Sequence, residues 1–143
     1  MIVIRKTTLR DIPLLADIWL RVSLEAHDFI SRDYWISNKP LMEEQYLPGS
    51  EVYVADQDGV VLGFIALVEN HIASIFVDTL HQGRGIGRLL LDYAKGLRPE
   101  LTLSVYQKNE KSVRFYQSNH FCILSEAVDA PTQEKEYYMQ WVK

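Results

Sequence analysis

A glycine-rich turn between an apolar run and an amphipathic segment constrains this chain more than any other feature of its sequence. The turn spans Gln82 to Gly87 and reads QGRGIG, after a strand predicted at Ile72–Asp78. A helix is predicted directly after it, because apolar residues there recur at three- and four-residue intervals. These residues are Ile86, Leu89, Leu90, Tyr93, Ala94 and Leu97.

A strand–turn–helix unit of this kind is a candidate site for an anion. The first N–H groups of a helix lack partners within the helix, and glycines let the backbone bring them close to a bulky ligand. A phosphate or pyrophosphate is therefore expected, with Arg84 or Arg88 adding charge. The alternative is a turn that only joins a strand to a helix. The nucleoside-triphosphate loop is absent, and the dinucleotide motif Gly-x-Gly-x-x-Gly fails because Arg88 stands at its last glycine.

The remaining patterns predict a mixed sheet with helices on its faces, in the order β-α-α-β-β-β-α-β-α-β-β. Asp58-Gly59 is a hairpin turn, Thr8 and Ser31 are helix caps, Pro40 interrupts an irregular segment, and Pro99 ends a helix. The strands are expected at Ile2–Lys6, Glu51–Asp56, Val60–Glu69, Ile72–Asp78, Leu101–Tyr106, Phe121–Val128 and Glu136–Val142, and a fourth helix at Glu110–Ser118.

Length and composition exclude several classes of protein. The 143 residues fit one domain, and a net charge of −4 argues against a nucleic-acid-binding surface. No apolar run approaches the roughly 18 residues of a membrane span, so we expect a soluble protein. Its one cysteine, Cys122, excludes an internal disulfide, fits the cytoplasm and is expected to be a buried, inert thiol. The histidines show no metal-ligand spacing, so no metal is expected.

Two sequence blocks resemble the GNAT superfamily of acetyl-CoA-dependent N-acetyltransferases. The family loop Gln/Arg-x-x-Gly-x-Gly/Ala is matched by Gln82, Gly85 and Gly87. The second block, similar to the family's Asn and Phe-Tyr signature, consists of Asn109, Ser112, Phe115, Tyr116 and Phe121. The runs YQKN at 106–109 and HDFI at 27–30 are similar to small bacterial members that act on protein amino groups or unassigned amines.

The resemblance implies a single N-acetyltransferase domain over residues 1–143 with acetyl-CoA as its cofactor. It implies a mixed, mostly antiparallel sheet whose middle strands splay apart around the thioester. Asn119 stands near the usual glycine and is expected to take the left-handed conformation there, with His120 exposed. The implied cofactor-binding residues are Ile75, Phe76, Val77, Gln82, Gly83, Arg84, Gly85, Ile86, Gly87, Arg88, Asn109, Ser112 and Tyr116.

The resemblance also implies catalytic roles. Tyr116 would protonate the leaving thiolate, although spacing alone also fits a core aromatic residue. Several relatives carry a glutamate where this chain has Ser104, so the base is expected to be ordered water held by His71 and Ser104. Glu25, His27 and Glu69 are further candidates for the base.

An aromatic segment is expected to receive the acceptor, which is a protein N-terminus, a lysine or a small amine. The predicted substrate-binding residues are His27, Phe29, Tyr34, Trp35 and Tyr106. Their aromatic rings suit an amine on an apolar carrier, but they would equally form a second small core. The sequence leaves open a non-catalytic CoA-binding module as the alternative function. It also leaves open a monomer or a homodimer.

Overall fold

Seven strands form one mixed sheet in the computed structural model, which describes residues 1–143. The order across the sheet is β1-β2-β3-β4-β5-β7-β6, and every neighbouring pair is antiparallel except β4 with β5. The strands are β1 Ile2–Lys6, β2 Glu51–Gln57, β3 Val60–Val68, β4 His71–Val77, β5 Glu100–Tyr106, β6 Cys122–Asp129 and β7 Glu134–Val142. The predicted fold class and element order are confirmed.

Four α-helices cover the sheet, two on each face: α1 Ile12–Ala26, α2 Arg32–Leu41, α3 Ile86–Leu97 and α4 Glu110–Ser118. Residues of α1 and α2, such as Leu15 and Trp35, share an apolar cluster with one face of β2 and β3. Residues of α3 and α4, such as Leu90 and Val113, share a second cluster with the opposite face. None of these helices has the length and apolar character needed to cross a membrane.

The start of α1 is fixed by a carboxylate. A 3-10 turn at Leu9–Asp11 precedes the helix, and Asp11 accepts hydrogen bonds from the Thr8 N–H at 2.8 Å and from the Thr8 hydroxyl at 3.1 Å. Arg5 donates to the same carboxylate at 2.8 Å. Thr8 is the N-cap residue, as the sequence predicts, and it forms a reciprocal capping box with Asp11.

The segment around Pro40 is more regular than the sequence predicts. Pro40 lies inside α2, and the helical path continues into a π-helical turn at Met42–Tyr46. Leu47 donates to the Met42 carbonyl at 3.0 Å, which is the wider hydrogen-bond spacing of a π turn. Proline cannot donate to a carbonyl of the preceding turn, and the burial of Met42 and Leu47 keeps the chain helical beyond it.

Two local predictions near the C-terminus are wrong. Cys122 is exposed, because β6 is an edge strand whose residues from Cys122 to Val128 all face solvent. Asn119 has φ −101°, and the left-handed residue is His120 with φ 72°. The Asn119 side chain donates to the Phe115 carbonyl at 2.8 Å, so Asn119 completes the last turn of α4 and the reversal falls on the next residue. His120 is exposed, as expected.

The middle of the sheet opens between β4 and β5. These two strands pair only at His71 with Thr102, where the Thr102 N–H also donates to the Asn70 carbonyl at 2.9 Å. In the pairing of β4 with β3, Ala66 lies opposite Ser74 and Leu67 opposite Ile72, so Ala73 is an extra residue in a β-bulge. The bulge lies where β4 leaves β5. The predicted splay is confirmed.

Candidate active site

A cavity of about 1020 Å³ occupies the gap between β4 and β5. We call it the slot, and its walls include the consecutive residues Ile72 to Val77 of β4 and Leu103 to Tyr106 of β5. Trp19 on α1 lines it from one face of the sheet, and Ser112 on α4 lines it from the other. The slot therefore passes through the sheet and is open to both faces.

The glycine-rich turn lies at one mouth of the slot and presents free donors. The backbone N–H groups from Gly83 to Arg88 donate to no protein acceptor. Gly83 and Gly85 have φ values of 81° and 79°, which L side chains rarely adopt. Gly87 serves packing as well, since a Cβ there would lie 3.0 Å from the Phe115 ring. These N–H groups at the start of α3 fit a pyrophosphate.

The two arginines of the turn are placed differently. Arg84 donates to Gln57 Oε1 at 2.8 Å and lies 3.1 Å from His81 Nδ1, and it is not on the wall of the slot. Arg88 is on the wall and exposed, with Asp92 at 3.7 Å as its ion-pair partner. Of the two predicted sources of charge, Arg88 therefore has the position to meet an anion.

Asn109 connects the two sides of the slot. It caps α4, and its Oδ1 accepts from the Ser112 N–H at 3.3 Å. This bond orients the amide, so Nδ2 donates to His27 Nε2 at 3.2 Å. His27 must then carry its own proton on Nδ1, which is buried without a partner. Burial lowers the pKa of His27 to about 4, so the ring is neutral at pH 7.

Tyr116 reaches the slot from α4. It is only 9% exposed, packs against Phe115 and Phe121, and lies on the wall of the slot. Its hydroxyl makes no hydrogen bond within the protein, and burial raises the pKa of this phenol. A phenol in this setting stays protonated and can donate a proton or hydrogen bond into the slot.

Comparison with known proteins decides the family. A family model described as an acetyltransferase (GNAT) domain matches residues 48–123, more than half of the chain. The chain is also 34% identical over 139 residues to the peptidyl-lysine N-acetyltransferase YiaC of Escherichia coli strain K12, covering 96% of this chain and 95% of that protein. The chain belongs to the GNAT acetyltransferase family.

Solved structures agree with this assignment. The solution structure of apo-form YjaB from Escherichia coli has a TM-score of 0.89 at 30% identity, covering 99% of this chain and 98% of that one. A PaiA N-acetyltransferase from Thermoplasma acidophilum in complex with coenzyme A has the same fold, with a TM-score of 0.84 at 20% identity and coverage of 100% and 99%. This acetyltransferase is an enzyme that transfers an acetyl group from acetyl-CoA to an amine.

Only one of the two residues predicted to hold the ordered water lies on the wall of the slot in this acetyltransferase. Ser104 is on the wall of the slot, and its hydroxyl has no protein partner. His71 is not on the wall, and its Nδ1 lies 2.9 Å from the Thr102 hydroxyl, while its ring stacks on Tyr138. Burial lowers the pKa of His71. The roles of both residues stay predictions.

Three of the five predicted acceptor residues line the slot. His27, Trp35 and Tyr106 are on its wall, and the His27 ring centroid lies 5.2 Å from that of Trp35 and 5.1 Å from that of Tyr106. Phe29 and Tyr34 pack behind them, 5.6 Å from Tyr106 and 5.0 Å from Trp35. Trp35 is also part of the α1–α2 core, so the acceptor wall and the second core share residues.

Among the further candidates for the base, Glu25 is on the wall of the slot and Glu69 is not. Glu69 lies in the tight turn before β4 with φ 55°.

Two acidic residues on the wall of the slot, Glu110 and Glu136, were missed by the sequence. Glu136 lies on the wall, opposite Tyr106 in the pairing of β5 with β7. The alternation of β7 was visible in the sequence, but the register between two strands about 30 residues apart was not. Burial and the charge of Asp129 raise the pKa of Glu136. Its carboxyl group therefore holds a proton more readily than an exposed glutamate does.

Proposed function

We propose that this acetyltransferase modifies the side-chain amine of lysine in proteins or peptides. The observation that carries the proposal is that the slot passes through the sheet, so that donor and acceptor can approach from opposite faces. A lysine side chain is long and thin, and its methylene stem packs favourably on aromatic rings such as those of Trp35 and Tyr106. The relative YiaC is named for the same acceptor, peptidyl lysine.

On the donor side, the chain offers groups that match each part of acetyl-CoA, which is consumed as a substrate. The free N–H groups from Gly83 to Arg88, with the charge of Arg88, suit its pyrophosphate. The edge of β4 that faces the slot, along Ile75 to Val77, has no β5 partner and can pair with the amides of the pantetheine arm. The second hydrogen of the Asn109 amide is available to the same arm.

The chemistry is direct attack of the neutral amine on the thioester. A backbone N–H of β4 near the Ala73 bulge would stabilise the oxyanion, because an N–H group held by a strand is already oriented and needs no reorganisation. Tyr116 would give its proton to the departing sulfur. Its raised phenol pKa favours recovery of a proton after each turnover.

A pair of peptides tests the acceptor. One peptide carries a single lysine and a blocked N-terminus, and the other has arginine in place of lysine and a free N-terminus. After incubation with acetyl-CoA, fragmentation by mass spectrometry should locate the acetyl group on the lysine side chain of the first peptide and leave the second unmodified. Acetylation of only the second peptide would contradict the proposal and assign an N-terminal acetyltransferase. Turnover of free polyamines with neither peptide modified would contradict it too.

A further inference from the structure

We propose that Glu136 is the general base that removes the proton from the lysine ammonium group. The inference rests on the proposed lysine acceptor. It assigns the base to a carboxylate of β7, the strand that pairs with β5 beside Ser104.

The pairing of β5 with β7 places Glu136 beside Ser104. Ser104 lies opposite Tyr138, and Tyr106 lies opposite Glu136. Because side chains alternate along a strand, Ser104, Tyr106 and Glu136 project from one face of the sheet. Ser104 and Glu136 are diagonal neighbours, whose Cβ atoms lie about 7 Å apart in such a pair. A water bound to the free Ser104 hydroxyl can bridge this distance. A carboxylate on β7 can therefore reach the same part of the slot as a carboxylate at position 104 would.

Tyr116 and Glu136 approach the slot from opposite faces. Leu103 and Val105 belong to the cluster that contains Tyr116, whereas Tyr106 packs against the α1–α2 cluster on the other face. Glu136 shares the face of Tyr106 and lines the slot with it. The proton donor for sulfur and the proton acceptor for nitrogen are thus separated by the slot, as an attack through the sheet requires.

The other titratable groups near the slot are less suited. Glu110 lies in the first turn of α4 on the donor side, where Arg114 is 4.0 Å away. Glu25 is on the wall but is exposed at the end of α1. The lone pair of His27 Nε2 is engaged by Asn109, and His71 lies off the wall. Glu136 is the half-buried carboxylate of the wall on the acceptor face.

The groups around Glu136 form no ion pair with its carboxylate, and they raise its pKa. Together with burial, the charge of Asp129, at the end of β6, raises the pKa of Glu136. The Asp129 carboxylate itself already accepts hydrogen bonds from the Tyr106 hydroxyl at 3.1 Å and from the Thr132 hydroxyl at 2.6 Å. From β6, uncharged Ala127 lies opposite Glu136. Lys108 is paired with Glu134 at 3.1 Å, so this cation is already neutralised. Burial and Asp129 raise the pKa of Glu136, which strengthens it as a base.

The lysine ammonium gives one proton to Glu136, directly or through the water on Ser104, and the nitrogen lone pair forms a bond to the thioester carbon. The C–S bond then breaks, sulfur leaves with the bonding electrons, and Tyr116 protonates it. The amide nitrogen returns its remaining extra proton to the tyrosinate through solvent. Glu136 releases its proton to solvent, so each turnover yields an acetylated lysine, free CoA and one proton.

A pH profile of kcat/KM for a single-lysine peptide tests the assignment. The wild type should rise through the pKa of Glu136 and then stay level, because carboxylate and ammonium cooperate up to the pKa of lysine, about 10.4. In Glu136→Gln the level region should be replaced by a tenfold rise per pH unit, since only the free amine reacts. At about pH 7.5 the variant should lose 10²-fold or more, in the range of a lost general base. Glu126→Gln removes an exposed charge from the neighbouring strand β6 and should keep the wild-type profile.

A second acceptor separates a base from a structural role. The same peptide with a difluorinated lysine presents an amine that is largely neutral at about pH 8, so it needs no proton removed before attack. Glu136→Gln should then retain activity within about threefold of wild type. An equal loss of activity with both acceptors would overturn Glu136 as the base, and so would a level pH profile in the variant. Neither result would contradict the acetylation of lysine by the wild type. Failure of the wild type on every lysine peptide would instead overturn the proposed acceptor.

Discussion

His27 and Asn109 lie 82 positions apart in the chain, and a hydrogen bond of 3.2 Å joins His27 Nε2 to the Asn109 side-chain amide. The bond ties the C-terminal end of α1 to the N-terminal end of α4, across the slot. It works only while His27 is neutral, because a protonated Nε2 cannot accept a hydrogen bond. Protonation of one ring would therefore break the contact between the two sides of the active site.

This dependence predicts a loss of stability in acid. The pKa of His27 is lowered to about 4 in the folded state, so between that value and the unfolded value of about 6.5 the unfolded chain binds more protons. His27 therefore contributes stability above pH 6.5 that is lost as the pH falls toward 4, about 3 kcal/mol in all. Urea unfolding from pH 7 to pH 4 should show this slope in the wild type and in the exposed control His120→Asn, but a weaker slope in His27→Gln. Titration of the His27 ring near pH 6.5 by NMR would contradict the prediction.

The glycine turn makes a prediction with a matched control. Gly85→Asp should abolish CoA binding, because a side chain and a negative charge would meet the pyrophosphate at the start of α3. Gly59 has a similar φ, 87° against 79°, and open space around it, but it lies in the hairpin between β2 and β3, away from the slot. Gly59→Asp should therefore bear the same backbone strain and keep its CoA affinity in isothermal titration. Equal affinity in both variants would remove the turn from the binding site. Gly87 is a poorer test, since a Cβ there also meets Phe115.

Tyr116→Phe deletes one hydroxyl and keeps the packing of α4. We expect kcat to fall by about 10²-fold with little change in the dissociation constant of CoA, because the lost group acts on the leaving sulfur. Tyr93→Phe on α3, outside the slot, is the control and should keep full activity. Turnover of Tyr116→Phe within a factor of two of wild type would reduce Tyr116 to a core aromatic residue.

Local patterns in the sequence predicted most of this fold, and long-range contacts account for what they missed. Alternation and helical spacing predicted all seven strands and most of the helical segments, apart from the continuous helical path around Pro40, and the glycine turn lies at the mouth of the slot where the sequence predicted an anion site. Cys122 was misplaced because its apolar neighbours do not reveal that β6 is an edge strand. Glu136 was missed because its position on the slot depends on the register of β7 against β5. His27 is neutral because it is buried, and that burial comes from long-range packing with rings such as those of Trp35 and Tyr106.

Initial rates measured over a grid of acetyl-CoA and lysine-peptide concentrations distinguish direct transfer through the slot from a covalent relay. If both substrates meet in a slot that crosses the sheet, double-reciprocal plots should intersect, and the protein should carry no acetyl group after incubation with acetyl-CoA alone. Parallel lines, together with an acetylated protein that passes its acetyl group to the peptide, would show a covalent relay and contradict direct transfer through the slot.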